Sequence, residues 1–308
     1  MIEVDRLTKR YGAFTAVDDI SFQVGKGEIV GFLGPNGAGK TTTMRVLTCF
    51  LPATEGTARI AGYDIFDNPL EVKKRIGYLP ELPPLYRDMR VRTYLEFIAK
   101  IKGVVPKESR RRIDEVVVQC GLVDRTEQLI GHLSKGYRQR VGLAQAILHD
   151  PEVIIMDEPT SGLDPNQIIE VRQLIRELAQ ERTVILSTHI LPEVEMTCNR
   201  VVIIHEGRIV AVDTTENLTA NMRDTTRFFV RISGDLDVAA KAIATIEGVS
   251  DVTRTNNGLH VHWSSEADLS AAVSARVVEL GMGLVEMKRE AMSLEEIFQA
   301  LTMREERM

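Results

Sequence analysis

Long apolar runs are missing from this chain. No stretch approaches the roughly 18 residues that a membrane span requires, and the strongest runs, Val153–Met156 and Val201–Ile204, have only the length of strand cores. The start, Met1-Ile2-Glu3-Val4-Asp5-Arg6, carries neither a basic segment nor a long apolar one, so no secretory signal is expected. Cysteine is scarce: Cys49, Cys120 and Cys198 are odd in number and far apart. That excludes a disulfide framework or a cysteine metal cluster and reads as three incidental thiols in a reducing compartment. Positive charge is not in excess, with 38 Lys and Arg against 44 Asp and Glu and a net charge of −6. A broad phosphate-backbone footprint is therefore disfavoured, although a local basic groove is not. Internal repeats and low-complexity tracts are absent as well.

What remains is 308 residues, 44% hydrophobic and 27% charged. That is too apolar for a disordered chain and long enough for about two domains, each with its own core. The expectation is a soluble, intracellular, two-domain protein.

Ile2–Val4 and Ile20–Val24 alternate apolar and polar residues, as half-buried strands do, and Gly12, Gly25 and Gly27 punctuate them. Ile29–Leu33 is a short apolar run entering a glycine-rich turn, and from Lys40 the apolar spacing of Met44, Leu47 and Leu51 becomes helical. Residues from about 86 to 149 read as mostly helical. Val153–Met156 and Thr183–Ser187 are bounded apolar runs with a helix between them over Gln167–Glu181, the pattern of a parallel sheet covered on both faces.

Polar residues from Asp213 to Thr226 read as a linker. Beyond it the expected order is strand (Arg227–Ile232), helix (Val238–Ile246), strand (Val249–Thr253), strand (Leu259–Trp263), helix (Ala267–Leu280) and strand (Leu284–Lys288). This is the βαββαβ order of a ferredoxin-like domain, and Ser293-Leu294-Glu295-Glu296 offers a capping box for one more helix.

The chemistry begins at Gly34-Pro35-Asn36-Gly37-Ala38-Gly39-Lys40-Thr41, which fits G-x-x-x-x-G-K-[ST]. Glycines there let backbone N–H groups converge on phosphate oxygens, and the helix that follows adds positive dipole. Lys40 reaches the β- and γ-phosphates and the Thr41 hydroxyl can ligate Mg²⁺. Such a loop alone fits a kinase, a GTPase or a transport motor. The buried run Val153–Met156 then ends in two carboxylates, Asp157 placed to hold Mg²⁺ and Glu158 to polarise an attacking water.

The order of these motifs over residues 1 to about 215 resembles the ATP-binding-cassette (ABC) ATPases. Tyr11, on its own an edge-strand tyrosine, stands where that family stacks an aromatic on adenine. Gly34 to Thr42 is its Walker A loop, and Glu81, in Gly77-Tyr78-Leu79-Pro80-Glu81, occupies the Q-loop position. Leu133-Ser134-Lys135-Gly136-Tyr137-Arg138-Gln139 looks like the signature loop, Asp157 and Glu158 are Walker B, Ser161-Gly162-Leu163-Asp164 is the D-loop, and Thr188-His189 ends in the switch histidine. Two positions depart from the pattern. Glu81 replaces the usual Gln, which keeps an oxygen for Mg²⁺ or its water but loses amide donation. The signature loop has Lys135 for glycine and Tyr137 for glutamine, while Ser134 also reads as a plain helix N-cap.

The resemblance implies a P-loop α/β cassette over 1–218: a mixed sheet core, an antiparallel β subdomain and a helical subdomain at about 86–150. An α+β accessory domain over 219–308 would serve dimerisation or regulation. It implies ATP and Mg²⁺ as cofactors, with Thr41, Glu81 and Asp157 around the metal. Tyr11, Gly34, Pro35, Asn36, Gly37, Ala38, Gly39, Lys40, Thr41 and Thr42 would hold the nucleotide. Glu158 would be the base and His189 a transition-state contact. Ser134, Gly136 and Asp164 would face the nucleotide of a second cassette, so the expected functional form is a nucleotide-dependent dimer of two cassettes, a homodimer.

Partners would be integral membrane permease subunits of an exporter of the ABC-2, gliding-motility or multidrug-like group, holding the chain at the inner face of the cell membrane. Leu82-Pro83-Pro84-Leu85-Tyr86 reads either as a turn made by its prolines or, by the resemblance, as part of a groove for a permease helix. No nucleic-acid partner is expected. The competing expectation, a soluble cassette acting on nucleic acid or ribosomes, sits poorly with a single cassette, no long heptad run and an acidic balance. A further one, a nucleotide-binding module that barely hydrolyses, rests on Glu81 and Tyr137. Arg110-Arg111-Arg112 reads as a solvated helix face, and His260 and His262 as ordinary strand residues lacking a third ligand.

Overall fold

In the computed structural model the described residues are 1–214, 217, 225–264 and 268–290. They fall into two units, Met1–Thr214 and Thr215–Met308.

The first unit is built on two sheets. β1 (Ile2–Tyr11) and β2 (Phe14–Val24) form a hairpin, and β4 (Glu55–Ile60) and β5 (Tyr63–Asp64) extend it into an antiparallel sheet of order β2-β1-β4-β5. Both hairpin strands run well past the short segments their alternation suggests. Register shifts between Val4 and Lys9, with Arg6 and Asp19 at positive φ, break the period of two and hide the strands' continuity.

The second sheet has the order β10-β9-β3-β8-β7-β6. Its strands are β3 (Ile29–Leu33), β6 (Ile76–Leu79), β7 (Val153–Asp157), β8 (Thr183–Thr188), β9 (Arg200–His205) and β10 (Arg208–Thr214). All its neighbours pair in parallel except β10, which returns antiparallel on β9. Every residue of β3, β7 and β8 is buried, so they read as apolar runs and not as alternating strands.

Helix α1 (Lys40–Leu47) buries Met44, Val46 and Leu47 in a core shared by both sheets, where Leu7, Ile20 and Phe22 meet Val30, Phe32 and Ile155. The Phe22 and Phe32 rings touch at a centroid separation of 5.5 Å. Helix α2 (Pro69–Arg75) leads into β6. The segment between β6 and β7 carries α3 (Val91–Ile101), α4 (Pro106–Gln119) and α5 (Lys135–Ile147). Pro106 begins α4 at the position where a missing N–H costs nothing. On that helix Arg111 and Arg112 pair with Glu115, and Arg112 also reaches Asp150, so the basic run is neutralised locally. Helices α6 (Pro165–Ala179) and α7 (Leu191–Thr197) complete the unit.

The second unit is β11 (Thr225–Ser233), α8 (Leu236–Ile243), β12 (Val249–Thr255), β13 (Gly258–Ser264), α9 (Ser270–Glu279) and β14 (Gly283–Glu290), in an antiparallel sheet of order β12-β13-β11-β14. Asp235 caps α8 through the Asp237 and Val238 amides. Trp263, stacked on Phe228 at 4.0 Å, lies in the core with Val230, Leu259 and Val261, whereas His260 packs edge-on against Phe229. The capping box at 293–296 lies outside the described residues. Among the described residues no group of three or more His, Cys, Asp or Glu is placed to hold a metal, and no helix is long and apolar enough to cross a membrane.

His149, just after α5, sits beside the Ile76 carbonyl at 3.0 Å. Burial pushes its pKa down to about 4, and the positive charges of Lys102 and Arg112 push the same way. The folded chain therefore holds a neutral imidazole while the unfolded chain titrates near 6.5. The unfolded state binds more protons between those values, so this contribution to stability is present above pH 6.5 and is lost as pH falls towards 4. His149→Gln should lose less melting temperature than wild type between pH 7 and pH 5 in thermal scans, and equal losses would contradict the assignment.

Candidate nucleotide site

β3 delivers the chain into the loop 34–39, and α1 starts at Lys40. Gly34 and Gly39 are required by close approach. A Cβ on Gly34 would lie 2.4 Å from the Ile204 carbonyl oxygen, and one on Gly39, at φ +104°, would lie 2.5 Å from that of Ala16. The loop is thus pressed against β9 and the hairpin, with its amides and the first turn of α1 at one end of the cleft. Lys40 is 5% exposed, and its Nζ donates to the Gly34 oxygen at 2.7 Å and the Pro35 oxygen at 3.1 Å.

Asp157 ends β7 and is 1% exposed. Its Oδ1 accepts from the Ser187 hydroxyl at 2.5 Å and from the Thr41 hydroxyl at 3.2 Å. Glu158 has φ +49°, a left-handed conformation that a side chain disfavours. Its amide donates to both the carbonyl and the hydroxyl of Ser187 at 3.1 Å, which holds the bend. The bend turns Glu158 away from the strand's alternation, so that Oε1 lies 3.4 Å from Lys40 Nζ and Oε2 lies 2.9 Å from His189 Nδ1. Glu158 is 7% exposed, while His189 is exposed at the rim.

Lys40, Thr41, Glu158 and His189 line a cleft of about 420 Å³, together with Tyr11, Phe14, Ala16, Asn36, Gly37, Gly39, Thr42, Glu81 and Ser161. Asp157 adjoins it through Thr41, while Gly34, Pro35 and Ala38 are not part of its lining. An aromatic rim, a loop of convergent amides and a cluster of buried charge suit a nucleoside triphosphate. The hard oxygens of Thr41 and Asp157, with Glu81 in the same cleft, suit Mg²⁺, which commonly takes one or two protein carboxylates and completes its shell with phosphate and water.

Ser134, Gly136 and Asp164 stand apart from this cleft. Ser134 caps α5, its hydroxyl accepting from the Tyr137 amide at 3.3 Å, and Asp164 caps α6 through the Gln167 amide at 3.0 Å. Gly136 lies against Gln167, where a Cβ would come 2.3 Å from its Oε1. Tyr137 lies beneath two guanidiniums, Arg125 at 5.0 Å and Arg140 at 5.9 Å from its ring centre.

Several residues of the site were not legible as motifs. Ser187 braces both acidic residues, Asp157 at its carboxylate and Glu158 at its backbone amide. Glu193, 3% exposed, accepts hydroxyl bonds from Thr160 and, at 2.7 Å, from Thr188, and so ties the loop after Glu158 to the loop of His189. A polar residue closing the apolar run of β8 was the one signal for Ser187. Phe14 joins Tyr11 only because the hairpin folds back.

Comparison with known proteins agrees with this geometry. The ABC transporter family model matches residues 17–161. An uncharacterized ABC transporter ATP-binding protein of Bacillus subtilis strain 168, YhcH, is 35% identical over 305 residues, covering 98% of this chain and 96% of the relative. The bacitracin transport ATP-binding protein BcrA of Bacillus licheniformis is 46% identical over 211 residues, 68% of either chain. A solved ATP-binding subunit of an ABC transporter superposes with a TM-score of 0.66 at 33% identity, covering 72% of this chain and 93% of that one. With near full-length similarity behind it, this chain belongs to the ATP-binding subunits of ABC transporters.

Proposed function

We propose that this chain hydrolyses ATP to drive an ABC exporter, working as a pair of cassettes against separate membrane permease subunits. The observation that carries the reading is the placement of Glu158, bent out of its strand and held between Lys40 and His189 at the phosphate end of the cleft.

In this scheme Tyr11 stacks on adenine. The amides of Asn36, Gly37 and Gly39, with Lys40 and Thr42, hold the phosphates, while Gly34, Pro35 and Ala38 shape the loop, Pro35 having no N–H and the Gly34 and Ala38 amides donating to the Thr188 and Pro35 carbonyls. Thr41, Asp157 and Glu81 hold Mg²⁺, which supplies positive charge to the β- and γ-phosphate oxygens. Glu158 accepts a proton from the water aimed at the γ-phosphorus. His189 fixes the Glu158 carboxylate and contacts the transferring phosphoryl group, while Ser187 and Glu193 keep both loops in register. Phosphate leaves with the water oxygen, and the bridging oxygen departs on ADP.

Ser134, Gly136 and Asp164, at the N-termini of α5 and α6, face the nucleotide bound by a second copy. The negative charge of the triphosphate, met within one chain by the phosphate loop and α1, is then answered by the facing helix N-termini only when two chains close. A mostly apolar groove of about 500 Å³ is lined by Phe50, Tyr78, Leu82, Pro84 and Ile98, and Phe50 and Leu82 are largely exposed. It would receive a permease helix and keep the chain at the inner face of the membrane. A relative named for bacitracin transport supports a membrane partner of this kind. The unit after residue 218 would assist pairing or regulate it.

Glu158→Gln should retain ATP, lose turnover by about 10²- to 10⁴-fold and accumulate as dimers in size-exclusion runs with ATP and Mg²⁺. Wild-type phosphate release in that variant would remove Glu158 from its role. Lys40→Ala should weaken ATP binding by roughly 10- to 100-fold in calorimetry, the loss expected for a charge-assisted contact. Truncation after residue 218 should lower either dimerisation or the ATPase rate, and a truncated chain equal to wild type in both would exclude the role given to the second unit.

A further inference from the structure

The two charged departures from the family pattern lie near one another in space. Glu81 Oε1 accepts a hydrogen bond from the Ser161 hydroxyl at 3.3 Å, on the side of the nucleotide cleft. On the signature loop, the Lys135 ammonium lies against Gly162, so close that a Cβ there would sit 2.3 Å from Nζ, and Gly162 has φ +66°. Glu81 and Lys135 also share the lining of a small cleft of about 190 Å³, together with Arg87 and Arg138. Glu81 is the one carboxylate in that lining, against three cations, and one of those, Arg138, donates to the Leu133 carbonyl.

We propose that Glu81 and Lys135 are a charge-complementary pair of positioning residues that hold the Ser161–Gly162 turn between them. The inference rests on the ATPase reading above. The turn begins three residues after Glu158, with the Ser161 amide donating to the Glu158 carbonyl at 3.1 Å, and leads through Asp164 into α6, whose Gln167 lies against Gly136. A movement at the phosphate end of the cleft is thereby passed to Ser134 and Gly136, which serve the opposite site. Replacing Lys135 with the usual glycine removes one of the three cations that share the small cleft with Glu81. Replacing Glu81 with the usual glutamine keeps an acceptor for Ser161 but leaves the cations unanswered. Each departure makes sense in the presence of the other.

The test is a double-mutant cycle on the full chain with Glu81→Gln, Lys135→Gly and both. Amide hydrogen exchange over residues 160–164 should rise in each single variant and rise no further in the double. Unchanged exchange in the singles, or summed effects in the double, overturns the pairing. This arm needs no turnover, so it decides the inference even where wild type releases no phosphate, a result that would instead sink the ATPase reading. Where wild type turns over, each single variant should lower kcat by about two- to fivefold at unchanged KM for ATP. The double should lose no more than the worse single, and Lys135→Arg should restore kcat. Losses that multiply, a change confined to KM, or failure of the arginine variant to rescue each count against the pair.

Discussion

A carboxylate withdrawn from water has to be answered by positive charge or by hydrogen-bond donors, and the site depends on how Glu158 is answered. Lys40 comes from the loop after β3, His189 from the loop after β8, and Glu158 itself from the end of β7. Those strands are neighbours in the order β3-β8-β7 and run parallel, so their carboxyl ends open on the same edge of the sheet. Ligands of open parallel sheets gather at such an edge, because there the loops converge while the strands stay rigid beneath them. The charge balance around Glu158 is therefore a consequence of strand order.

The bend at Glu158 is costly, since a left-handed conformation with a side chain is disfavoured by about 1–3 kcal/mol. Ser187 offsets it with two acceptors for the Glu158 amide while also bonding Asp157. One serine thus sets the relative aim of the two acidic groups, one towards Thr41 and the other towards Lys40 and His189. Glu193 does the same one layer lower. Its buried carboxylate is satisfied by Thr160 and Thr188, and the loops bearing Glu158 and His189 cannot separate without breaking one of those bonds.

Around this centre the chain departs from its family at positions that meet one turn, Ser161–Gly162, or their own supports. Tyr137 replaces glutamine and is covered by Arg125 and Arg140, so its ring packs at the start of α5 and is not part of the lining of the nucleotide cleft. Glu81 and Lys135 exchange neutrality for opposite charge on either side of one turn. Such changes leave the phosphate loop and the Walker B carboxylates untouched.

Much of this protein was written locally. The glycine spacing of 34–39, the Lys40-Thr41 pair, the apolar runs ending in Asp157-Glu158 and Thr188-His189, and the βαββαβ order after residue 225 are short-range patterns, and each follows from the chemistry or period of neighbouring residues. The short elements β4, β5, α2 and β6, and the full length of β1 and β2, were not, because bulges and brief segments carry too little periodic signal. Tertiary structure alone decided that Ser187 and Glu193 brace the acidic pair, that Phe14 joins Tyr11, and that Lys135 meets Gly162. Those contacts join residues up to 33 positions apart, and a one-dimensional pattern has no term for which strand lies beside which.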